Sequence, residues 1–314
     1  MEPWQAILGL IGGLVILLLS SERTIDQLVK LGSLLGLSTF TIGFVISAIG
    51  SDLPELVNSV LSSFLGYGEI AVGNSIGSVA TQISLVLGII PFFCQFCRLI
   101  PRKFAVVGLA EIGVLAAAIG LAVDGTVSRL DGVILIILWG ISIYILRRFG
   151  GDQVAVEAST AMEVPTQKFR LVLFIALGFI GIGIGSYLII ESVITISTLL
   201  GVSEFILSFF LVAVGTSLPE LAVGVAAIRR RHYELALGDI IGSCIVDATL
   251  AVGLGPVLFP ITVNGSEILI SGLYTLFLSL VVVLLLAWRG INDKRSGGLF
   301  IFLYGLSYLL ITIL

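Results

Sequence analysis

Two short motifs in this sequence place oxygen-bearing side chains beside a proline, and both lie within long apolar runs. The motifs are GSDLPE at residues 50–55 and GTSLPE at residues 215–220. Proline lacks an amide N–H and clashes with the carbonyl four residues earlier, so a helix that carries it must kink. We expect the kinks to free backbone carbonyls near Ala48 and Ala213 and to turn them into a common site.

Each motif combines three kinds of oxygen ligand within about one helical turn: a carboxylate, a hydroxyl and a freed carbonyl. The carboxylates are those of Glu55 and Glu220. Hard cations such as Ca²⁺ take six to eight oxygen ligands of these kinds. The alternative is a kinked helix whose glutamate faces a water-filled vestibule. An ionisable side chain at membrane depth is costly and is usually functional, which favours a cation site.

Two companion segments repeat a second pattern, GNSIGS at residues 73–78 and GDIIGS at residues 238–243. In each segment a serine precedes an amide or carboxylate side chain by four residues, so both groups lie on one helix face. A serine in a membrane helix can instead bond back to its own helix, but its placement beside an acid or amide disfavours that reading. The pairs are Ser78 with Gln82 and Ser243 with Asp247, and the glycines that would allow close helix approach are Gly77 and Gly242.

The motifs belong to an internal repeat. Residues 40–60 align without gaps to 205–225 with nine identities, and residues 71–91 align to 236–256 at the same offset with eight. Shared membrane composition does not place both matches at one fixed offset. If each copy holds five helices, an odd number, the second copy enters the membrane from the opposite side, as in many secondary transporters.

The composition excludes a water-soluble protein. Of 314 residues 58% are hydrophobic and only 11% are charged, and the mean hydropathy is +1.19. Soluble domains carry about 25% charged residues. We predict an all-α integral membrane protein with ten transmembrane helices arranged as two inverted five-helix repeats. The predicted spans are 4–20, 33–66, 69–92, 104–123, 131–147, 169–190, 202–228, 234–258, 266–287 and 298–313.

The basic residues set the predicted orientation. If both termini lie outside, the five inward loops hold all but one of the 16 Lys and Arg residues, the exception being Arg129. This agrees with the positive-inside rule and indicates a multi-pass protein of the plasma membrane. The N-terminus lacks the basic region of a signal peptide, so the first apolar run is expected to be a retained helix.

The repeats define the predicted organisation of the chain. Residues 1–147 form the first repeat around the motif region 40–91, and residues 169–314 form the second around 205–256. Residues 148–168 are a cytoplasmic linker, too short for a calcium-sensing domain. Outside the motifs, the sequence does not decide whether Glu111 and Glu191 are interfacial or buried in the bundle. Cys94, Cys97 and Cys244 are expected to be ordinary thiols without a disulfide framework.

These residues resemble the cation/calcium exchanger superfamily, and most closely its sodium/calcium exchanger branch. That family carries G-T-S-x-P-E and G-N-x-I-G-S-N motifs in two inverted repeats, and recognisable forms of both cover nearly the whole chain. The resemblance implies that Glu55 and Glu220 are the principal Ca²⁺ ligands, with Ser51 and Thr216 adding oxygens. The positions that it implies for the neighbouring sodium sites are Ser78, Ser217, Ser243, Gln82 and Asp247.

Two positions depart from the family pattern. Asp52 stands where the motif usually has serine, and Gln82 stands where asparagine or aspartate is common. With Asp52, four acidic residues meet in one pocket of low dielectric constant, so at least one is expected to hold a proton when no cation is bound. Proton coupling or an altered Na⁺ stoichiometry is then expected, unless Asp52 faces the aqueous vestibule.

The function predicted from these features is Ca²⁺/Na⁺ antiport by alternating access at a mid-membrane carboxylate site. The first alternative is antiport of Ca²⁺ or another divalent cation against H⁺, and a cation channel is a more distant one. No paired aspartyl-protease motif or phosphate-binding loop is present, so we expect no enzyme, no cofactor, and energy from ion gradients. The expected partners are the transported ions and the lipid bilayer, without nucleic acid, and one chain suffices as a monomer.

Overall fold

The computed structural model describes residues 2–34, 48–94, 96–149, 165–229 and 233–313. Long helices dominate these residues, as the continuous apolar runs predict. Helix α1 is Pro3–Leu34, α2 is Ala48–Ser51, α3 is Leu53–Leu65, α4 is Gly68–Phe92, α5 is Pro101–Ala122 and α6 is Arg129–Phe149.

The second half of the chain follows the same plan. Helix α7 is Pro165–Leu200, and α8 joins Glu204–Leu207, Ser208–Val212 and Ala213–Thr216. Helix α9 is Leu218–Arg229, α10 joins Tyr233–Val246, Asp247–Ala251 and Val252–Leu258, α11 is Gly265–Arg289 and α12 is Lys294–Ile313. Single π-helical stretches occur at Ser208–Val212 in α8, Asp247–Ala251 in α10 and Thr81–Val86 in α4.

Seven helical segments in the described part of the chain are long and apolar enough to cross a membrane, with α8 and α9 counted together as one segment. Their outward faces carry large apolar side chains that no protein covers, such as Leu8 at 60% exposure and Phe169 at 71%. Lipid is the solvent that such faces require. The prediction of an all-helical integral membrane protein is confirmed at this level.

Several predicted boundaries were wrong at the helix ends. Helix α1 continues through Arg23 and Lys30 to Leu34, so the basic residues assigned to the first loop lie on the last turns of a helix. Helix α7 extends to Leu200, which places Glu191 within the helix rather than at its end. Polar residues end an apolar run in the sequence, but they do not end a helix when their backbone hydrogen bonds continue. Residues 35–47 of the predicted second span lie outside the described residues.

Two short antiparallel strand pairs are exceptions to the all-α prediction. Strand β1 (Phe96–Arg98) pairs with β4 (Ile291–Asp293), and β2 (Thr126–Val127) pairs with β3 (Ile261–Thr262). Each pair joins a connection of the first half of the chain to a connection of the second. Such two- and three-residue strands leave no periodic signal in the sequence, so they were not predicted.

The expectation of three ordinary thiols was also wrong. Cys94 and Cys97 form a disulfide, whereas Cys244 is a free, buried thiol. The chain leaves the end of α4 and turns into β1 over these residues, which brings the two sulfur atoms of the C-x-x-C segment together.

The bundle is built around α4 and α10. In each of these helices 83% of the most apolar 18-residue window is buried, against 22% in α1 and 28% in α7. The companion segments predicted from the sequence therefore lie on the two central helices. The long helices α1 and α7 lie at the periphery and pack chiefly against each other.

Candidate cation-binding site

Two broken helices supply the acidic motifs. The helix breaks at Asp52, between α2 and α3, and at Ser217, between α8 and α9. Each break comes two residues before the proline, and the new helix then starts with the proline in its first turn, where a missing N–H does no harm. The predicted kinks are confirmed. Glu55 and Glu220 consequently lie in the first turn of α3 and of α9, where the positive end of the helix dipole favours a carboxylate.

Four acidic side chains are buried together around these breaks. Asp52, Glu55, Glu220 and Asp247 each have no exposed surface. Glu220 lies within electrostatic range of the other three. Apart from one oxygen of Asp247, none of their carboxylate oxygens has a hydrogen-bond partner among the described residues, and no basic side chain there neutralises them. Such a cluster in hydrocarbon requires protons or cations.

Hydroxyl and amide groups surround the carboxylates. The Thr216 hydroxyl donates to Asn74 Oδ1 at 3.3 Å and lies 3.5 Å from the Ser78 hydroxyl. The Thr216 side chain also lies beside Glu55, and that of Ser243 lies beside Asp52. These contacts bring motif residues of both halves of the chain into one pocket, as predicted.

Gln82 and Asp247 meet directly, with Gln82 Nε2 donating to Asp247 Oδ2 at 2.9 Å. The two residues are 165 positions apart, the offset of the sequence repeat. Residues at equivalent positions of two repeats touch each other only close to the axis that relates the repeats. Cys244, 165 positions from Val79, likewise approaches the Val79 carbonyl. The pocket therefore lies where equivalent positions of the sequence repeat meet.

Glycines let the two motif-bearing elements come this close. A Cβ placed on Gly73 would lie 2.6 Å from the Phe205 carbonyl oxygen, and one on Gly77 would lie 2.6 Å from Phe209 Cα. Helices α4 and α8 thus pack backbone against backbone, as expected for Gly77. For Gly242 the described residues place nothing within 4 Å of a Cβ, and residues 39–47, equivalent to the first nine residues of α8, are outside them.

The remaining predicted ligands are the side chains of Ser51 and Ser217 and the carbonyls of Ala48 and Ala213. Ser217 is buried and its hydroxyl has no partner among the described residues, whereas Ser51 is half-buried. The Ala213 carbonyl accepts the Ser217 amide N–H at 3.1 Å, so the proline does not free it. The carbonyl four residues before Pro219 belongs to Gly215. Ala48 begins α2.

The sequence reasoning missed three residues of this site. Asn74 accepts the Thr216 hydroxyl, Asp239 lies within electrostatic range of Asp52, and the Cys244 thiol donates to Gln82 Oε1 at 3.4 Å. Asn74 and Asp239 occupy equivalent positions of the two companion segments, and this shared polar position was the signal that could have identified them. Cys244 carries no comparable signal.

No three His, Cys, Asp or Glu side chains in the described part of the chain converge as a preformed metal site. The donor set must therefore combine carboxylates with hydroxyl, amide and carbonyl oxygens. Such a mixed oxygen set suits Ca²⁺ and Na⁺ and is a poor match for softer transition metals.

Comparisons with known proteins agree with this chemistry. The family described as sodium/calcium exchanger protein matches residues 5–147 and 170–313. An uncharacterised membrane protein of Methanocaldococcus jannaschii is 32% identical over 294 residues, covering 93% of both chains. The sodium/calcium exchanger MaX1 of Methanosarcina acetivorans is 24% identical and covers 95% of this chain and 96% of its own.

Two solved structures share the fold. The sodium-calcium exchanger NCX_Mj superposes with a TM-score of 0.62 at 27% identity, covering 98% of this chain and 99% of that one. The H⁺/Ca²⁺ exchanger CAX superposes with a TM-score of 0.73 at 18% identity, over 97% of this chain and 82% of that one, and this likeness concerns the fold alone. The chain belongs to the sodium/calcium exchanger protein family, within the cation/calcium exchanger superfamily.

Proposed function

We propose that the protein is a secondary antiporter that exchanges Ca²⁺ for Na⁺ by alternating access at the pocket of Asp52, Glu55, Glu220 and Asp247. The observation that carries the proposal is the burial of these four acids without a basic partner among the described residues. Their combined charge must be cancelled in a medium of low dielectric constant. One Ca²⁺ or several Na⁺ can cancel it with the oxygen ligands present.

We assign one group of ligands to the divalent ion and another to the monovalent ions. Glu55 and Glu220 face each other across the centre and are the natural ligands of the divalent ion. Oxygens of Ser51, Thr216 and Ala48 complete its shell. The side groups that would hold monovalent ions belong to Ser78, Ser217, Ser243, Gln82 and Asp247.

The architecture proposed for this activity is two inverted five-helix repeats, residues 1–147 and 169–314, joined by the linker 148–168. Equivalent elements support it, since Ala48–Ser51 and Ala213–Thr216 are both helical turns that end at a break. The crossed strand pairs, β1 with β4 and β2 with β3, support it too, because each joins one half of the chain to the other. The proposed orientation, with both termini outside, rests on the basic residues.

Exchange requires that the empty carrier cannot cross. The carboxylates of this cluster that stay ionised without a cation supply that barrier, because moving net charge through hydrocarbon is expensive, and bound cations remove it. The outermost helices α1 and α7 would slide against the core to expose the site to either side. They pack closely on each other through Gly13 and Gly185, where a Cβ on Gly13 would lie 2.9 Å from the Gly185 carbonyl oxygen. This contact allows the pair to move as one unit. One chain holds the complete ligand set, so a monomer would suffice.

Asp52 favours a second candidate, antiport of Ca²⁺ against H⁺. Its carboxyl is fully buried, lies among other acids, and has no basic partner in the described part of the chain. A carboxylate at this position can carry a proton where serine cannot. An Asp52→Ser variant that loses H⁺-driven uptake and keeps or gains Na⁺-driven uptake would assign the coupling to this residue.

The test is uptake of radioactive Ca²⁺ by proteoliposomes under an outward Na⁺ gradient and, separately, under an outward H⁺ gradient. We expect uptake under the Na⁺ gradient, and its loss in the isosteric variants Glu55→Gln and Glu220→Gln. Uptake driven by H⁺ alone would refute Na⁺ coupling and support the second candidate, antiport of Ca²⁺ against H⁺. Conductive flux without a counter-ion would indicate a channel, and transport retained by either glutamine variant would refute the site.

A further inference from the structure

Helix α3 carries a row of buried polar side chains beyond the acidic motif. They are Asn58, Ser59, Ser62 and Ser63, here called the polar face of α3, and none is more than 4% exposed. Neither amide atom of Asn58 and none of the three serine hydroxyls has a hydrogen-bond partner among the described residues. The proposed ligand set does not include any of them.

The polar face of α3 continues directly from the carboxylate pocket. Asn58 and Ser59 follow Glu55 by three and four residues, and Ser62 and Ser63 follow one turn later. Residues at these spacings share one side of a helix. At 1.5 Å per residue the row extends about 12 Å from Glu55 toward the helix end at Gly66. It therefore connects the pocket with one membrane face.

These serines differ from several other buried serines, which bond to their own helix, although Ser186, Ser208 and Ser217 also lack a partner among the described residues. Ser75, Ser142 and Ser192 each donate to the carbonyl four residues earlier, which satisfies a hydroxyl inside a membrane helix. That bond is absent for Ser59, Ser62 and Ser63. The side-chain amide of Asn58 is not satisfied by a bond to its own helix either. Burying such groups unpaired in hydrocarbon is costly, which favours water or a cation as their partner.

Close packing explains part of the row but not all of it. Ser59 and Ser63 lie against Gly255 of α10, where a Cβ would fall 2.6 Å from the Ser59 carbonyl oxygen. Small side chains are needed at those two positions, and alanine would serve as well as serine. Asn58 is larger, lies outside that contact, and is the residue that a packing role leaves unexplained.

The second half of the chain lacks this row. The positions equivalent to Asn58, Ser59, Ser62 and Ser63, at the offset that relates Gln82 to Asp247, are Val223, Gly224, Ala227 and Ile228. Both repeats thus keep the acidic motif, whereas only the first continues it with polar groups. On this face of α9, Gly224 lies against the apolar side chains of Ile90 and Ile240.

We propose that the polar face of α3 is a hydrated transit site, which holds a hard cation with part of its water shell between the carboxylates and the membrane face at Gly66. Its ligands are neutral amide and hydroxyl oxygens, which hold a cation weakly enough to pass it on. The proposal rests on the proposed exchange function. It serves access from the α3 side only, the outer side in the proposed orientation.

The test is the sidedness of transport by Asn58→Val, which gives α3 the residue found at the equivalent position of α9. In proteoliposomes of verified uniform orientation, we expect the half-saturating Ca²⁺ concentration on the outer side to rise about tenfold, as for the loss of one hydrogen-bonding ligand. The value on the inner side should stay unchanged. Ser142→Ala, which removes a buried serine that bonds to its own helix, should change neither side.

Thermal unfolding separates this role from a structural one. Replacing an unpartnered buried polar group by an apolar one is neutral or stabilising, so the midpoint of Asn58→Val should equal or exceed that of the wild type. Equal loss of affinity on both sides, no loss on either, or clear destabilisation would each overturn the proposal. Because Glu55→Gln tests the carboxylate pocket independently, a transit site can fail while the exchange function stands.

Discussion

The contact between α4 and α8 makes a measurable prediction, since it holds motif residues of both halves of the chain in one pocket. In Gly77→Ala the new Cβ would lie 2.6 Å from Phe209 Cα, whereas ordinary contact begins at 3.4 Å. The Phe209 carbonyl oxygen would lie closer still, so the two helices must separate by more than about 0.8 Å, the shortfall at Phe209 Cα. Overpacking of this kind costs about 1–3 kcal/mol, partly offset by about 1 kcal/mol from the better helix propensity of alanine.

The same displacement acts on the pocket. It would lengthen the distances from the Thr216 hydroxyl to Asn74 Oδ1, now 3.3 Å, and to the Ser78 hydroxyl, now 3.5 Å, beyond hydrogen-bonding range. We expect Gly77→Ala to lower the unfolding midpoint in detergent and to weaken Ca²⁺ exchange in proteoliposomes by about tenfold or more.

Two other glycines give a graded control. A Cβ on Gly73 would lie 3.1 Å from Phe205 Cα and 2.6 Å from its carbonyl oxygen, each farther than the matching atom of Phe209 lies from a Cβ on Gly77, so Gly73→Ala should destabilise the protein less. A Cβ on Gly113 of α5 would meet nothing within 4 Å, so Gly113→Ala should be neutral or slightly stabilising. If Gly77→Ala unfolds and transports like Gly113→Ala, the backbone contact does not position the site and the reasoning is wrong.

Two further predictions concern groups outside the pocket. Ser279 donates to Glu111 Oε1 at 2.9 Å, and the other carboxyl oxygen of Glu111 has no partner among the described residues. Ser279→Ala should therefore destabilise the protein by about 1 kcal/mol, measured as a lower unfolding midpoint. The double variant Ser279→Ala with Glu111→Leu should be destabilised by less. The Arg289 guanidinium holds the pKa of Asp293 well below its usual range, so this pair stabilises the protein above about pH 4 and its contribution is lost as the pH falls through that lowered pKa. Asp293→Asn should cost about 0.5 kcal/mol near neutral pH, and a cost that persists undiminished below about pH 3 would contradict the ion-pair assignment.

Much of the pocket was predictable because its residues recur at a fixed offset. Repetition identified Glu55 and Glu220 without knowledge of contacts, and the proline beside each predicted the helix break. The bond between Gln82 and Asp247 follows the same logic, since equivalent positions meet near the axis of a repeat. Fold class was predictable for a simpler reason: few charges and long apolar runs leave only a membrane helix bundle.

Features without periodicity were not predictable. The disulfide of Cys94 and Cys97 depends on how the chain turns after α4, and the strand pairs depend on which connections meet in space. The end of α1 was predicted too early because charged residues such as Arg23 and Lys30 are typical of loops between membrane spans. The backbone at both residues is nevertheless helical. The depth of Glu111, undecided in the sequence, depends on its packing against α11, where Ser279 donates to it.

The two halves of the chain share the polar residues of the central pocket but differ in the residues that follow the motif. These two groups of residues serve different functions, binding of the cation and access to the site. A cation held at the centre needs ligands from both halves, so the positions that meet there, Gln82 with Asp247 and Glu55 with Glu220, remain polar in both. In the proposed inverted arrangement the residues beyond the motif face opposite sides of the membrane and never meet, so nothing requires Asn58 and Val223 to match. An exchanger works between two solutions of different composition. Repeats that share a binding centre but differ in their approaches can therefore load the same site under different conditions on the two sides.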